Sequence, residues 1–124
     1  MIKLLIVDDQ PQTRRGLRMR LGLEPDLEIV GEAGDGRSAL EQVNRLQPDV
    51  VVMDCEMPVM DGISATSALR DAAEPVAVVM LTIHDDSRTK ERARAAGANA
   101  FVAKQCSDEP LLRAIRQAAH QDQR

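Results

Sequence analysis

Short apolar runs alternate along the chain with longer segments in which apolar residues recur three or four positions apart. A continuous apolar run of about 4–8 residues is typical of a strand buried on both faces of a parallel sheet. The segments between the runs place their apolar residues on one face of a helix. The pattern predicts five strands, at 3–7, 27–33, 50–54, 77–82 and 100–103, and five helices, at 13–23, 38–46, 63–73, 88–96 and from 107 onward.

Helix-start and helix-stop signals support two of these helices. Asp86 or Ser87 is suited to cap the fourth helix, and Gly97 is suited to end it. The run 107–110 combines a hydroxyl, two acids and a proline, which is typical of a helix start. The polar ending 120–124 is expected to be either a fraying terminus or the root of a linker. Strand and helix therefore alternate five times, which predicts an α/β domain with a parallel sheet and right-handed crossovers.

Length, charge and cysteine content limit the kinds of protein that this chain can be. The chain has 124 residues, enough for one domain with a sizeable core, and its single aromatic residue, Phe101, is expected to be buried in an aliphatic core. A net charge of −4 argues against nucleic-acid binding by this domain alone. No apolar run reaches a membrane-spanning length and no signal peptide is evident, so we expect a cytoplasmic protein that does not bind membranes. Cys55 and Cys106 lack metal-ligand spacing and are expected to be reduced thiols, incidental more often than redox sensors.

Charged and polar residues follow four of the five predicted strands: Asp8 and Asp9, Asp54, Thr82, and Lys104. Because the carboxyl ends of parallel strands meet at one edge of a sheet, where ligands bind, we expect these side chains to converge. Three carboxylates together repel unless a cation is present, and Mg²⁺ prefers oxygen ligands. A carboxylate beside Mg²⁺, an ammonium and a hydroxyl is equipped for phosphoryl transfer, with aspartyl phosphate at Asp54 as the product.

The chain resembles, over nearly its whole length, the receiver domain of two-component response regulators. The resemblance rests on Ile6-Val7-Asp8-Asp9, Val52-Met53-Asp54, Met57-Pro58, Met60-Asp61-Gly62, Leu81-Thr82, Gly97-Ala98, and Phe101 three residues before Lys104. It implies a flavodoxin-like (βα)5 fold, a doubly wound parallel sheet with strand order 2-1-3-4-5. It also implies a signalling switch and not a turnover enzyme, with residues 1–124 as the receiver domain.

The resemblance also implies a role for each site residue. Asp54 would accept the phosphoryl group from a sensor histidine kinase, and Lys104 would pair with that group. The implied Mg²⁺ ligands are Asp9 and Asp54 directly, the backbone carbonyl of Glu56, and Asp8 largely through water. Thr82 would move to the phosphoryl group and Phe101 would then turn inward, which changes the surface of the fourth helix, fifth strand and fifth helix. The fourth helix offers mainly Ala93, Ala95 and Ala96 for burial, so we expect it to be weakly held.

Two further segments, 81–86 and 111–115, resemble the subfamily that carries a LuxR-type helix-turn-helix output domain. This implies control of transcription through DNA binding by an output domain that is absent from this chain, and leaves open a homodimer after phosphorylation. Departures from the family are Gln105, where proline often follows the lysine, and the acidic Glu56. A trans bond is expected before Gln105, and Glu56 with His84 is hypothesised to position or exclude the hydrolytic water.

Other interpretations stay open from the sequence alone. Four arginines on the first helix form either a kinase-docking face or a solvated surface, the commoner case: Arg14, Arg15, Arg18 and Arg20. A phosphatase of the dehalogenase-like type also uses an Asp nucleophile and Mg²⁺, but Glu56 stands where its second Asp would be and the chain has no room for a cap domain. The third interpretation is a receiver-like interaction module that is never phosphorylated.

Overall fold

The computed structural model describes residues 1–83, 86–104 and 108–122 of the chain. Five strands alternate with five helices, as the apolar pattern predicts. The strands are β1 (Ile2–Val7), β2 (Leu27–Ala33), β3 (Val50–Asp54), β4 (Ala77–Thr82) and β5 (Ala100–Ala103). The helices are α1 (Pro11–Leu21), α2 (Gly36–Leu46), α3 (Gly62–Asp71), α4 (Ser87–Ala96) and α5 (Asp108–Asp122).

The strands form one parallel sheet in the order β2-β1-β3-β4-β5, which confirms the flavodoxin-like prediction. From β1 the chain first moves outward to β2 and then crosses back to β3 on the other side. The strand order therefore reverses between β1 and β3, which makes their carboxyl ends the switch point where this class of sheet binds ligands. Asp8 follows β1 directly and Asp54 is the last residue of β3.

The core consists of two aliphatic layers, one on each face of the sheet. Successive residues of β3 alternate between the layers, since Val52 belongs to one and Met53 to the other. Helices α1 and α5 cover the first layer, and α2, α3 and α4 cover the second. Phe101 is partly buried and packs against the second layer, so it is less buried than the sequence suggests for the single aromatic residue.

Several helix boundaries differ from the sequence prediction. Helix α1 begins at Pro11, where a first-turn proline costs no hydrogen bond, and ends at Leu21, so that Leu23 is 80% exposed. Helices α2 and α3 begin earlier than predicted because Asp35 and Asp61 cap them by accepting hydrogen bonds from backbone N–H groups. Helix α5 continues to Asp122, beyond the predicted fraying.

Helix α4 is capped by Asp86 and ends at Gly97, whose φ of +110° suits glycine. Ala93 is its one buried residue among those described, whereas Ala95 is exposed and Ala96 half-buried, which corrects the three-alanine prediction. The predictions for His84, Gln105, Cys106 and Ser107 concern residues outside the described ranges. Among the described helices, none combines the length and the hydropathy needed to cross a bilayer.

Candidate phosphoacceptor site

Three carboxylates converge at the switch point of the sheet. Strands β1 and β3 pair directly, with Val7 opposite Met53, so the residues that follow them lie side by side. One carboxylate oxygen from each of Asp8, Asp9 and Asp54 lies within 4.8 Å of the other two. Asp8 and Asp54 are 1% and 2% exposed, while Asp9 lies nearer the solvent. The chain thus gathers these acids from two different strands.

Lys104, which follows β5, contributes the positive charge of this cluster. Its Nζ lies 3.1 Å from Asp8 Oδ2 and 3.1 Å from Asp54 Oδ2. Its backbone N–H donates to the carbonyl of Thr82, which aligns the ends of β4 and β5. Burial of the ammonium lowers its pKa, but the carboxylates of Asp54 and Asp8 outweigh burial and raise the pKa above its usual value.

The carboxyl group of Asp54 is held in an environment that disfavours its charge. Burial is the largest cause and raises its pKa to about 6, helped by the neighbouring Asp8 and opposed by Lys104. Asp54 Oδ1 also accepts a hydrogen bond from the backbone N–H of Glu56, at 3.2 Å. Next to it, a Cβ on Gly62 would come within 2.3 Å of the Asp54 carbonyl oxygen, so the loop after β3 closes tightly around this residue.

These residues fit a divalent cation of the magnesium type. The three carboxylates supply hard oxygen ligands, and Lys104 alone leaves the cluster with a negative charge. A cation would neutralise that excess and lower the pKa of the buried Asp54 toward its ordinary value. The side chains of Asp8, Asp9 and Asp54 are therefore the natural holders of the ion.

The side chain of Glu56 has a partner that the sequence did not reveal. Thr82 is fully buried, and its Oγ1 donates to Glu56 Oε2 at 3.0 Å and to Oε1 at 3.3 Å. The backbone N–H of Ile83 also approaches Glu56 Oε1, at 3.4 Å. The Thr82 hydroxyl is therefore engaged with a carboxylate at the edge of the site. The sequence gives no signal for this contact, because the two residues lie 26 positions apart.

The structure bears on two expectations about neighbouring residues. Cys55 is buried, and burial, followed by the nearby Glu56, raises the pKa of its thiol to about 12. Such a thiol is unreactive, which favours the incidental role over the redox sensor. Arg14, expected to lie on a wet helix surface, instead places Nη1 2.6 Å from the carbonyl oxygen of Asp8.

Comparison with known proteins agrees with this geometry. Residues 4–116 match the family described as the response regulator receiver domain. The chain belongs to that family. It is 41% identical to the nitrate/nitrite response regulator protein NarP of Escherichia coli over 94% of this chain and 54% of that protein. It is 34% identical to the transcriptional regulatory protein DegU of Brevibacillus brevis over 95% of this chain and 50% of that protein. This receiver domain thus spans about half the length of these relatives.

Solved structures show the same fold. The receiver domain of the response regulator NarL from Mycobacterium tuberculosis superposes with a TM-score of 0.92, at 32% identity and 96% coverage of both chains. The response regulator domain of CheB from Thermotoga maritima superposes with a TM-score of 0.88, at 34% identity and 97% coverage of both chains. The relatives are mostly response regulators and not enzymes, and a matching methylesterase from Alkalilimnicola ehrlichii is covered over 28% of its length. The receiver family, and not the phosphatase, is therefore the correct assignment.

Proposed function

We propose that this receiver domain takes a phosphoryl group from a sensor histidine kinase onto Asp54 and holds it as an aspartyl phosphate. The observation that carries the proposal is the position of Asp54, buried, beside two further carboxylates and 3.1 Å from the Lys104 ammonium. A carboxylate oxygen of Asp54 forms the new bond to phosphorus while the bond from phosphorus to the kinase imidazole breaks. The electron pair of that bond stays with the imidazole nitrogen, which then takes a proton.

Each neighbour of Asp54 has a proposed part in this step. Asp9 and Asp54 would bind Mg²⁺ directly, the backbone carbonyl of Glu56 would be a further ligand, and Asp8 would act largely through water. When bound, the ion neutralises charge on the phosphoryl oxygens. Lys104 moves its hydrogen bond from the Asp54 carboxylate to the phosphoryl group, which becomes the nearest anion.

The switch follows from the same arrangement. In the proposed phosphorylated state the Thr82 hydroxyl leaves Glu56 and donates to a phosphoryl oxygen, and Phe101 turns inward. Phe101 now lines a cavity of about 120 Å³ together with Lys90 and Arg94 of α4. A change at Phe101 would therefore reach the surface formed by α4, β5 and α5.

We propose that this surface controls an output domain that binds DNA and regulates transcription, as the subfamily resemblance implies. A homodimer is one form of the proposed active state. Residues 1–124 as the receiver domain, and a cytoplasmic location, stay predictions from the sequence.

The decisive test is phosphorylation by a small-molecule phosphodonor such as acetyl phosphate in the presence of Mg²⁺, read by intact mass. We expect one phosphoryl adduct on the wild type, none on Asp54→Asn, and none when EDTA replaces Mg²⁺. Asp61→Asn is the matched control, because Asp61 lies in the adjoining loop and Asn retains its capping of α3. A folded wild type without an adduct would favour the unphosphorylated interaction module, and an adduct that survives in Asp54→Asn would place the acceptor elsewhere.

A further inference from the structure

Every hydrogen-bonding atom of Asp8 has a partner in the fold. Its N–H donates to the carbonyl of Ala33 at 3.1 Å, which continues the pairing of β1 with β2. Its Oδ1 accepts from the N–H of Gln10 at 2.9 Å, and its Oδ2 accepts from Lys104 at 3.1 Å. Its carbonyl oxygen accepts from Arg14 Nη1 at 2.6 Å.

Arg14 is itself held in place from the opposite side. Its Nε donates to Glu32 Oε1 at 3.2 Å, so the guanidinium bridges the Asp8 carbonyl and a carboxylate of β2 with separate nitrogens. The other oxygen of Glu32 accepts from Arg18 Nη1 at 2.6 Å. The side chain of Arg14 is 21% exposed, against 53% for Arg18. The planar guanidinium has several donors in a fixed arrangement, which a single lysine ammonium does not reproduce.

The carbonyl of Asp8 belongs to the peptide group that links Asp8 to Asp9. Since that group is planar, holding its oxygen restricts the orientation of the peptide plane that leads into Asp9. Asp9 lies nearer the solvent than the other two acids of the cluster, and its own carboxylate therefore depends more on the backbone for its position. The carboxylate of Glu32 offsets part of the positive charge of Arg14 and Arg18, which share it.

We propose that Arg14, anchored by Glu32, is a positioning residue that presets the Asp8–Asp9 peptide group for divalent-cation binding. The inference rests on the proposed function, because it assumes that the acidic cluster holds Mg²⁺. Groups that orient metal ligands from outside the coordination sphere contribute strongly to affinity, and their loss weakens metal binding about 10- to 100-fold. Arg14 therefore acts on the affinity for the ion and touches neither the ion nor the phosphoryl group.

The chain provides its own matched control for this proposal. Arg18 pairs with the same carboxylate of Glu32 at 2.6 Å but makes no contact with Asp8 among the described hydrogen bonds. A purely stabilising role for Arg14 would be shared by Arg18, since both link α1 to β2 through Glu32. A positioning role, in contrast, requires the contact with the Asp8 carbonyl, which Arg14 makes and Arg18 does not among the described hydrogen bonds.

The experiment measures Mg²⁺ affinity of the unphosphorylated protein by calorimetry, with the backbone amide signals of Asp9 and Gln10 followed by NMR. We expect Arg14→Met, which keeps the apolar stem, to bind Mg²⁺ about 10- to 100-fold more weakly, with both amide signals displaced before the ion is added. Arg18→Met is expected to bind within about twofold of the wild type, because it leaves the Asp8 contact intact. The Mg²⁺ affinity of Arg14→Lys is expected to lie between those of the wild type and Arg14→Met, because a single ammonium can make only one of the contacts with the Asp8 carbonyl and Glu32.

The possible outcomes separate this inference from the proposed function. If the wild type itself binds no Mg²⁺, the proposed function fails. If the wild type binds Mg²⁺ and a folded Arg14→Met binds it equally well, the positioning role alone is refuted. Equal losses in Arg14→Met and Arg18→Met would also refute it, because the effect would then follow Glu32 and not the Asp8 carbonyl. If Arg14→Met does not fold, the Mg²⁺ affinity of Arg14→Lys is the test. An unchanged affinity in that variant refutes the proposal that Arg14 must contact both the Asp8 carbonyl and Glu32.

Discussion

At the scale of single residues, the most unusual backbone conformation lies in the loop after β3. Val59 has a φ of +70°, in the left-handed region, and its side chain is 84% exposed. A β-branched residue is strongly disfavoured there, because its Cβ crowds the backbone, at a cost of about 1–2 kcal/mol. Its exposure means that little burial compensates for this cost. The residue lies between β3, which ends at Asp54, and α3, so the strain is stored beside the candidate site.

Replacing Val59 by glycine should therefore stabilise the domain. We expect Val59→Gly to raise the free energy of unfolding by about 1 kcal/mol, since relief of the left-handed strain exceeds the larger chain entropy of unfolded glycine. Urea denaturation measures this change. Val59→Ala is the control because alanine keeps Cβ, and it should gain clearly less. Equal stabilities of the two variants would show that the β-carbon of Val59 is not strained.

Thr82 and Glu56 form the second informative contact at this scale. In the unphosphorylated protein the Thr82 hydroxyl donates to the Glu56 carboxylate, and the proposed switch requires it to donate to a phosphoryl oxygen instead. Glu56 therefore competes with the phosphoryl group for one hydroxyl. Its negative charge near the mouth of the site also opposes the approach of an anion. Both effects favour the unphosphorylated state.

Removing the Glu56 carboxylate should favour the phosphorylated state. We expect Glu56→Ala, which keeps the backbone carbonyl, to bind the phosphoryl mimic beryllofluoride with Mg²⁺ about tenfold more tightly, as loss of one charge-assisted hydrogen bond would allow. Titration followed by NMR measures the affinity. The same substitution in the Thr82→Val background should have a clearly smaller effect. A tenfold gain in that background too would assign the effect to charge alone.

The lifetime of the phosphorylated state in Glu56→Ala tests the hydrolytic-water hypothesis.

At the scale of the elements, α4 is held more weakly than its neighbours on the same face of the sheet. It buries Ala93, whereas α2 buries Gly36, Ala39 and Val43. Both helices have an aspartate cap that accepts from a backbone N–H, at 2.7 Å for Asp86 and 2.8 Å for Asp35. A helix with this little apolar burial depends more on its cap, and such a helix is suited to move when the switch operates.

The two caps should therefore have different effects when removed. We expect Asp86→Ala to cost about 1 kcal/mol of the local stability of α4, because Ala93 is the one buried residue of that helix in the described part of the chain. Hydrogen exchange should then increase in α4 while the global unfolding transition changes little. In Asp35→Ala a similar loss should appear in global unfolding, since α2 belongs to the second core layer. Uniform exchange across the domain in Asp86→Ala would contradict a separately mobile α4.

The elements also show how far the sequence predicts this molecule. Strands β2, β3, β4 and β5 have the predicted bounds. In β3 and β4 every residue is buried, and a strand buried on both faces is apolar along nearly its whole length, which makes its bounds easy to predict. Helices α2 and α3 were predicted to begin late, because Asp35 and Asp61 resemble turn residues until their side chains are seen to cap. The strand order brings Asp8 and Asp54 together. The contacts of Arg14 with Glu32 depend on side-chain directions from two separate elements, which residue spacing does not determine.

At the scale of the whole molecule, the buried acid should make stability depend on pH. The ordinary pKa of Asp54 is 3.8, and burial, with Asp8 and against Lys104, raises it to about 6 in the folded state. The folded protein therefore binds the proton more tightly than the unfolded chain does. The free energy of unfolding must therefore fall as pH rises from the ordinary pKa of 3.8 to the folded-state pKa of about 6, and it levels off above that pH. A shift of this size corresponds to about 3 kcal/mol.

Asp54→Asn should abolish this dependence, because an amide has no proton to lose. In EDTA we expect the variant and wild type to have similar free energies of unfolding near pH 4, with the variant becoming more stable by up to about 3 kcal/mol above pH 6. Urea denaturation across this range measures the difference, and Asp61→Asn should follow the wild type. Mg²⁺ should stabilise the wild type more than Asp54→Asn, since in the proposed function the ion binds the folded state through that carboxylate. A constant difference from pH 4 to pH 8 would mean that burial does not raise the pKa of Asp54.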